Sequence, residues 1–407
     1  MTFTEINSFS SIIKCILNKS AKLNKWRYDF MVEIFMIYMI IPTRINFRQM
    51  ARYSNYGEQR FRNQYKQKFD FMHFNQELTS TYFGKRLAIA FDPSYIQKSG
   101  KKTPYMGKFW SGCDQAIKQG LEISELAVID IDLHQSFHLE AIQTAPTKTL
   151  QTVSLSLVDW YAQIICNRKE ELQKIASIVV ADGYFPKIDF VNPLLEAGFH
   201  LISKFREDAH FRYKFSGIYS GKGRPIQFGG KVDVDNLDMK VFTQFQYRED
   251  IQVSYAVVNS KSLKRDILLV VERTTNKQGK TMQRLLFSTD VTMDPIEVLE
   301  YYHCRFQMEF NFRDAKQSTG LTHSQARDLD KLHFHFNTSL TTINIVKAMH
   351  LCDETMRAKP FSMSDYKILF HNTFMLNQFI ATFGIQPKAV KNHHHVKELL
   401  YFGTRAS

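Results

Sequence analysis

The chain is poor in cysteine, has no long apolar run and is short of acidic residues, and each deficit narrows what it can be. Its 407 residues hold five cysteines, Cys15, Cys113, Cys166, Cys304 and Cys352, with no Cys-x-x-Cys pair. That scatter excludes a zinc ribbon and argues against a disulfide framework, so a reducing compartment is expected. The most apolar stretch, Phe30 to Ile41, is interrupted by Glu33 and falls short of the roughly 20 residues that a membrane span needs. It reads as a buried helix. Residues 1–11 carry no basic patch ahead of an apolar run, so no secretory leader is expected. No Walker A, G-x-G-x-x-G or G-x-S-x-G occurs, which removes the ATPase, dinucleotide and serine-hydrolase readings. Repeats and low-complexity tracts are missing too.

What the chain does have is basic charge and aromatics. Lys plus Arg is 53 against 40 for Asp plus Glu, a net charge of +13. A surplus of this size points to a polyanionic partner, most often nucleic acid. Hydrophobic residues at 44% and aromatics at 14% are enough for a real core and exclude a disordered chain. The expectation is a soluble, cytoplasmic protein associated with DNA and not with a membrane.

Along the chain the patterning changes four times. Residues 1–80 read as helical, with apolar residues at helical spacing through Ile12, Ile13, Ile16 and Leu17 and again over 30–41. A short helix over Ile45–Arg52, a turn at Ser54–Gly57 and a basic helix over Glu58–Lys66 resemble a helix-turn-helix, with Arg60, Arg62 and Lys66 placed to meet DNA. The plain alternative is a helical hairpin with a solvated basic face. Residues 81–205 alternate apolar strands (87–91, 126–133, 176–181, 199–204) with a long helix over 148–175 and a second opened by Pro186 and capped by Gly198, the signature of an α/β sheet core. Residues 206–293 show strand alternation and turns, with Gly221, Gly223, Gly229 and Gly230 marking loops. This reads as an antiparallel β insertion. Residues 294–350 return to helix, and 351–407 form a helical C-terminal region.

Two sets of residues stand out chemically. Asp92 and Asp182 each close an apolar run, and the strand ends of an open α/β sheet line its ligand crevice. Turn and cap aspartates are common, and Asp130 and Asp132 compete for the same role. The sharper signal is Tyr302, Arg305, Glu309 and Lys316, at steps of three, four and seven residues. At about 100° per residue these fall on one helical stripe, a carboxylate flanked by two cations and a phenol. Phe306, Phe310 and Phe312 sit between them, able to pack against the sheet. A solvated salt-bridge face would show the same spacing. His393-His-His395 has the look of a metal tract but lies in a basic tail without acids or cysteines nearby and reads as surface. His333 and His335, on an aromatic helix, read as structural.

Tyr302-x2-Arg305-x3-Glu309-x6-Lys316 matches the Y-R-E-K signature, and on it the chain resembles the insertion-sequence-four family of D-D-E transposases over about residues 85–350. Asp92-Pro-Ser94 resembles the family's first aspartate motif and Asp182-Gly-Tyr-Phe185 the second. The proline after Asp92 departs from the pattern. The resemblance implies an RNase H-like catalytic core, with Asp92, Asp182 and Glu309 holding two divalent cations, Mg²⁺ or Mn²⁺. Paired ions of this kind activate water and stabilise the leaving oxygen in phosphodiester cleavage. Tyr302, Arg305 and Lys316 would contact the DNA backbone.

The resemblance further implies cut-and-paste movement of an insertion sequence in a prokaryotic cell. The partners would be terminal inverted repeats and target DNA, held by a homodimer on paired ends. A hairpin route would require a flipped base stacked on an aromatic of the insertion. The three tryptophans, Trp26, Trp110 and Trp160, lie outside residues 206–293, leaving Tyr247, Tyr255 and Phe287. Two rivals stand beside this reading: a metal-dependent DNA nuclease without strand transfer, and a catalytically inactive protein that binds DNA ends.

Overall fold

Among the described residues five helices precede the first strand: α1 (Thr4–Ser20), α2 (Lys25–Ile40), α3 (Phe47–Arg52), α4 (Glu58–Gln64) and α5 (Phe71–Ser80). Four strands follow, β1 (Leu87–Gln97), β2 (Gly107–Ser111), β3 (Ala116–Asp130) and β4 (Gln135–Gln143). Helices α6 (Thr147–Gln151), α7 (Leu157–Cys166) and α8 (Lys169–Leu172) lead to β5 (Ile178–Ala181), α9 (Ile188–Glu196) and β6 (His200–Phe205). Then come β7 (Phe211–Lys214), β8 (Phe228–Lys231), β9 (Thr243–Arg248), β10 (Ile251–Ser260), β11 (Arg265–Thr275) and β12 (Thr281–Ser288). Helices α10 (Pro295–Cys304), α11 (Gln307–Gln317), α12 (Leu329–Cys352), α13 (Glu354–Arg357), α14 (Met363–Thr382) and α15 (His394–Tyr401) follow among the described residues. The computed structural model describes residues 4–20, 23–100, 102–215, 217, 225, 227–386 and 393–405. Gly221 and Gly223 lie outside them.

The twelve strands among the described residues join one sheet, in the order β2-β3-β1-β5-β6-β12-β11-β10-β7-β8, with β4 beside β3 and β9 beside β10. The β1–β3 and β3–β4 ladders are antiparallel, β1–β5 and β5–β6 parallel. A parallel neighbour needs a crossover, and α9 supplies it between β5 and β6. From β6 onward every ladder is antiparallel, starting with β12, which sets Leu286 opposite Lys204 and Ser288 opposite Ile202. The β segment expected as an insertion therefore continues the central sheet. The whole is a mixed α/β domain, a multi-stranded sheet with flanking helices.

Strand alternation sorts the core into two faces. Ile89, Phe91, Leu126, Val128, Val179 and Ala181 point to the side covered by α7 and α9. Ala88, Ala90, Ala127, Ile129 and Val180 point to the other, against Val298, Leu299, Tyr302 and Met308 of α10 and α11. A third cluster joins α1, α2, α5, α12 and α14 with Ile96 and Leu121 of the sheet. Helix α2 lies inside it, Phe30, Ile34, Phe35 and Tyr38 being fully buried. No helix among the described residues is long and apolar enough to cross a membrane.

Several sequence expectations need correction. The helix expected over 148–175 is three pieces. Ser154 adopts φ 55°, and Ser156 and Asp159 then form a reciprocal capping box that restarts the chain as α7. Gly229 and Gly230 lie in β8, not in a loop. Helix α4 stops at Gln64, so Lys66 is not on it. Strand β1 does not end at Asp92 but runs on to Gln97. Beyond Phe91, the last residue opposite β5, it pairs with β3 but has no β5 partner, and such an edge tolerates Pro93. Gly198 does follow α9 as expected, at φ 85°, the left-handed position a glycine enters without strain.

Candidate active site

The site lies on the α10–α11 face of the sheet, at the point where β5 stops. Asp92 shares the facing of Ala88 and Ala90. Asp182 follows β5 directly, one step beyond the Phe91–Ala181 pair, as Asp92 does on β1. Asp182 Oδ1 accepts the Tyr184 N–H at 2.8 Å, and its carbonyl accepts from Ser203 Oγ at 2.6 Å, which fixes the turn leaving β5. A Cβ at Gly183 would stand 3.1 Å from side-chain carbons of Lys204 and 3.3 Å from its carbonyl oxygen, so this turn packs closely on β6.

Glu309 and its neighbours arrive from the other layer. The single helical stripe expected over Tyr302–Lys316 is interrupted: α10 ends at Cys304 and α11 begins at Gln307. Across the junction the bonds shorten to the i−3 carbonyl. Phe306 N–H bonds His303 O at 3.2 Å, Met308 N–H bonds Arg305 O at 2.9 Å and Glu309 N–H bonds Phe306 O at 3.1 Å. The count of 100° per residue therefore fails there. Phe306 does not reach the sheet either. It is 51% exposed and meets Phe310 edge-on at 5.1 Å, while Phe312 alone of the three is buried.

The four signature residues nonetheless share one electrostatic neighbourhood with the aspartates. Asp92 keeps a partial opening to solvent yet is densely surrounded. Burial above all, and then the carboxylates of Asp182, Glu309 and Glu125, push its carboxyl up to about 8, while Arg305 pulls it down. The Arg305 guanidinium loses some basicity to burial but gains more from Asp92, Tyr302, Asp182 and Glu309, so its net shift is upward. Its Nη2 donates to Glu309 Oε1 at 3.4 Å, and its Nε is buried with no acceptor. Burial raises the Tyr302 phenol to about 12, with Arg305 opposing. Lys316 Nζ donates to Ser94 Oγ at 2.9 Å, two residues beyond Asp92. Burial lowers its ammonium, and Cys113 and Asp92 act in the other sense.

Three carboxylates around a partly neutralising arginine are the oxygen donor set that a hard divalent cation takes. As they stand, no three His, Cys, Asp or Glu among the described residues are close enough to hold one ion. Ligation would require Asp92, Asp182 and Glu309 to turn toward one another.

The competing aspartates have other work. Asp130 accepts the backbone N–H of Gly84 at 2.5 Å and of Leu133 at 3.0 Å, and Asp132 binds Arg86 Nε at 2.8 Å together with the N–H groups of Lys85 and Arg86. The proposed helix-turn-helix residues lie elsewhere. Arg62 is tied to Glu58, and Arg60 stacks 3.6 Å over Tyr56. Lys66 is exposed beyond α4. Arg62 lines a groove of about 1900 Å³ that runs from α3 and α4 to the far end of β1 and includes Arg44, Arg48, Lys98, Lys102, Arg327 and Lys331, while Arg60 and Lys66 are not in its lining. The carboxylates are not in it. A smaller cavity of about 340 Å³ adjoins Asp182, lined by Lys204, Arg206 and Arg284.

Of the aromatics expected to face the site, Phe287 is fully buried toward α7 and α9. Tyr247 donates to Glu300 at 3.2 Å, and Tyr255 packs edge-on to Phe245. The exposed rings nearest the site in sequence are Tyr184 and Phe306. His335 is structural, bonded to Tyr38 and to Gly320 O, and its imidazole is lowered to about 4 by burial. His393 stacks on His394 at the start of α15, and His395 lies tilted against both. Glu125, directly opposite Asp92 in the β1–β3 ladder, was not among the sequence candidates. A glutamate inside an apolar strand was the available signal.

Residues 163–345 match the family described as transposase DDE domain. The match takes in Asp182, Tyr302, Arg305, Glu309 and Lys316, and Asp92 lies upstream of it. Comparison with curated proteins returns no match. The chain thus carries a DDE transposase-type domain, a type consistent with nucleic-acid cleavage.

Proposed function

We propose that this protein is a D-D-E transposase that cuts at the ends of an insertion sequence and joins them to target DNA. Its core would be RNase H-like, with β4-β3-β1-β5-β6 as the central strands. The observation that carries the reading is the common electrostatic neighbourhood of Asp92, Asp182, Glu309 and Arg305, drawn from two strands and a helix far apart in sequence. Asp92, Asp182 and Glu309 would hold two divalent cations, Mg²⁺ or Mn²⁺, which supply an activated water and charge neutralisation at the scissile phosphate. Arg305 presents a planar fork to non-bridging phosphate oxygens once the carboxylates it now faces turn inward. Lys316, held by Ser94, places a point charge further along the strand. Tyr302 steadies Arg305, whose guanidinium carbon stands 5.8 Å from the ring centroid. The basic groove takes the flanking duplex.

Hydrolysis of the phosphodiester leaves a 3′-hydroxyl, and attack of that hydroxyl on a target phosphodiester displaces a second 3′-oxygen. Holding two ends together requires a dimer. The test is an excision assay on a plasmid carrying the element's own ends, with Mg²⁺, on a gel that resolves joined products from simple cuts. Joined products support the transposase, cuts alone the nuclease, and neither the inactive end-binding protein.

A further inference from the structure

Beneath the candidate site lies a buried polar cluster that takes no direct part in the proposed chemistry. Asn311, two residues after Glu309, turns inward from α11. Its Nδ2 donates to Ser136 Oγ at 3.0 Å and stands 3.4 Å from Glu125 Oε1, while its Oδ1 accepts from Lys347 Nζ at 2.8 Å. Lys347, enclosed within α12, also donates to Ser136 O at 2.6 Å. Burial lowers its ammonium to about 8. Glu125 Oε1 meets His138 Nδ1 at 2.9 Å, and His138 Nε2 meets Asn337 Oδ1 at 3.1 Å. The orientation of Asn337 is settled, because its Oδ1 accepts Ala141 N–H while its Nδ2 donates to Ala141 O. His138 Nε2 must then be the donor, and the Nδ1–Oε1 contact closes through one shared proton.

We propose that this cluster positions α11 about its own axis, and so sets Glu309 against Asp92. This rests on the reading of the carboxylates as the catalytic site. Glu309 and Asn311 are about 200° apart around the helix. The apolar contacts of α11 with the sheet are non-directional and would permit rotation, whereas hydrogen bonds weaken steeply off their preferred angles. Asn311 is bonded to β4 and α12 and lies against β3, the strand that pairs with β1 opposite Asp92. A rotation that moved Glu309 would break those bonds between buried groups and leave their polar atoms unpaired. Asn311, Lys347 and Glu125 are thus positioning residues.

Asn311→Asp keeps the shape and the acceptor for Lys347 but sets a second carboxylate against Glu125. It should slow end cleavage by about 100-fold, the scale of a 1 Å misplacement, with end-DNA affinity unchanged. It should also abolish the rise in Tm that Mg²⁺ gives the wild type. Adding Glu125→Gln exchanges the roles: the amide now on β3 can donate both to the carboxylate introduced on α11 and to His138 Nδ1, without the shared proton. This pair should recover cleavage to within about tenfold and restore the Mg²⁺ shift. Wild-type behaviour of a folded Asn311→Asp protein, or failure of the folded exchange pair to recover, overturns the proposal. If Asn311→Asp does not fold, Asn311→Leu with Lys347→Met removes both partners at once, and wild-type cleavage by that variant overturns it equally. A wild type that shifts with Mg²⁺ but never cuts DNA refutes the catalytic reading instead, and the Mg²⁺ shifts of the variants still decide the positioning.

Discussion

Two groups of basic residues, alike in the sequence, end in different surroundings. Arg305 and Lys316 are drawn into the sheet face, among Asp92, Asp182 and Glu309 or against Ser94. Arg60, Arg62 and Lys66 stay on or just beyond α4, only Arg62 of the three lining the open groove, and are occupied by Tyr56, by Glu58 or by solvent. A charge in an enclosed site interacts several times more strongly than one in water, while an exposed pair contributes little. Under the proposed function, the difference assigns the first group to the reacting phosphate and the second to affinity alone. Exposure makes the same point, since the Arg305 side chain is 14% exposed and that of Arg62 45%.

The comparison breaks first at the carboxylates the inner cations serve. Asp92→Asn and Glu309→Gln should each reduce end cleavage by more than the roughly 100-fold that loss of a partner to a metal ligand costs, with end-DNA affinity retained. Single-turnover nicking with Mg²⁺ measures this. Activity near wild type in Asp92→Asn would return Asp92 to a buried structural role.

Next comes Arg305 itself. Arg305→Ala should slow nicking by about 10- to 100-fold, the rate equivalent of the roughly 1.5–3 kcal/mol in a hydrogen bond to a charged group. Arg305→Lys should recover little, because a point charge cannot reproduce the fork. Full rescue by lysine would mean that Arg305 supplies charge alone.

Much of this arrangement is legible in the sequence, and the failures have physical causes. The apolar runs at 87–91 and 176–181 do become β1 and β5, because strands buried on both faces need continuous apolar residues. The extension of β1 past Asp92 was hidden by Pro93, which usually ends a strand and is tolerated here only because β5 has stopped. The break at Arg305–Phe306 carries no glycine or proline, and the tightened turn leaves Phe306 outside. The capping pair Ser156 and Asp159 was a readable signal for the restart of α7. Asn311 was illegible as a site neighbour, since its partners come from β4 and α12, distant in the chain, and Glu125 offered only its place inside an apolar strand.

Smaller in effect is the pH dependence of stability. The Asp92 carboxyl lies near 8 in the folded chain against an ordinary 3.8. Between those values the folded state holds a proton that the unfolded chain has released, so stability falls as pH rises through the window. Asp92→Asn has no charge to bury. Without divalent cation its Tm should match wild type near pH 4 and exceed it progressively toward pH 8, and Mg²⁺ should close the gap by stabilising the wild type. A Tm difference that does not vary with pH would place the Asp92 charge in open solvent.

The outer cations give the smallest effects, and the comparison predicts that they differ among themselves. Lys66 is exposed with no side-chain partner among the described residues, so Lys66→Ala should lower the slope of log affinity against log salt by about 0.9, the value of one duplex phosphate contact. Arg62 must first release Glu58, an exposed i,i+4 pair, so Arg62→Ala should change the slope by less. Arg60 lies 3.6 Å over the Tyr56 ring and 5.7 Å from that of Trp26. Its removal should lower Tm through lost packing and leave the slope alone. Cleavage per bound complex should be unchanged in all three. A slope change at Arg60 as large as at Lys66 would show that stacking does not withhold a cation from DNA, and a cleavage defect in any of the three would carry the reach of the catalytic site out to α4.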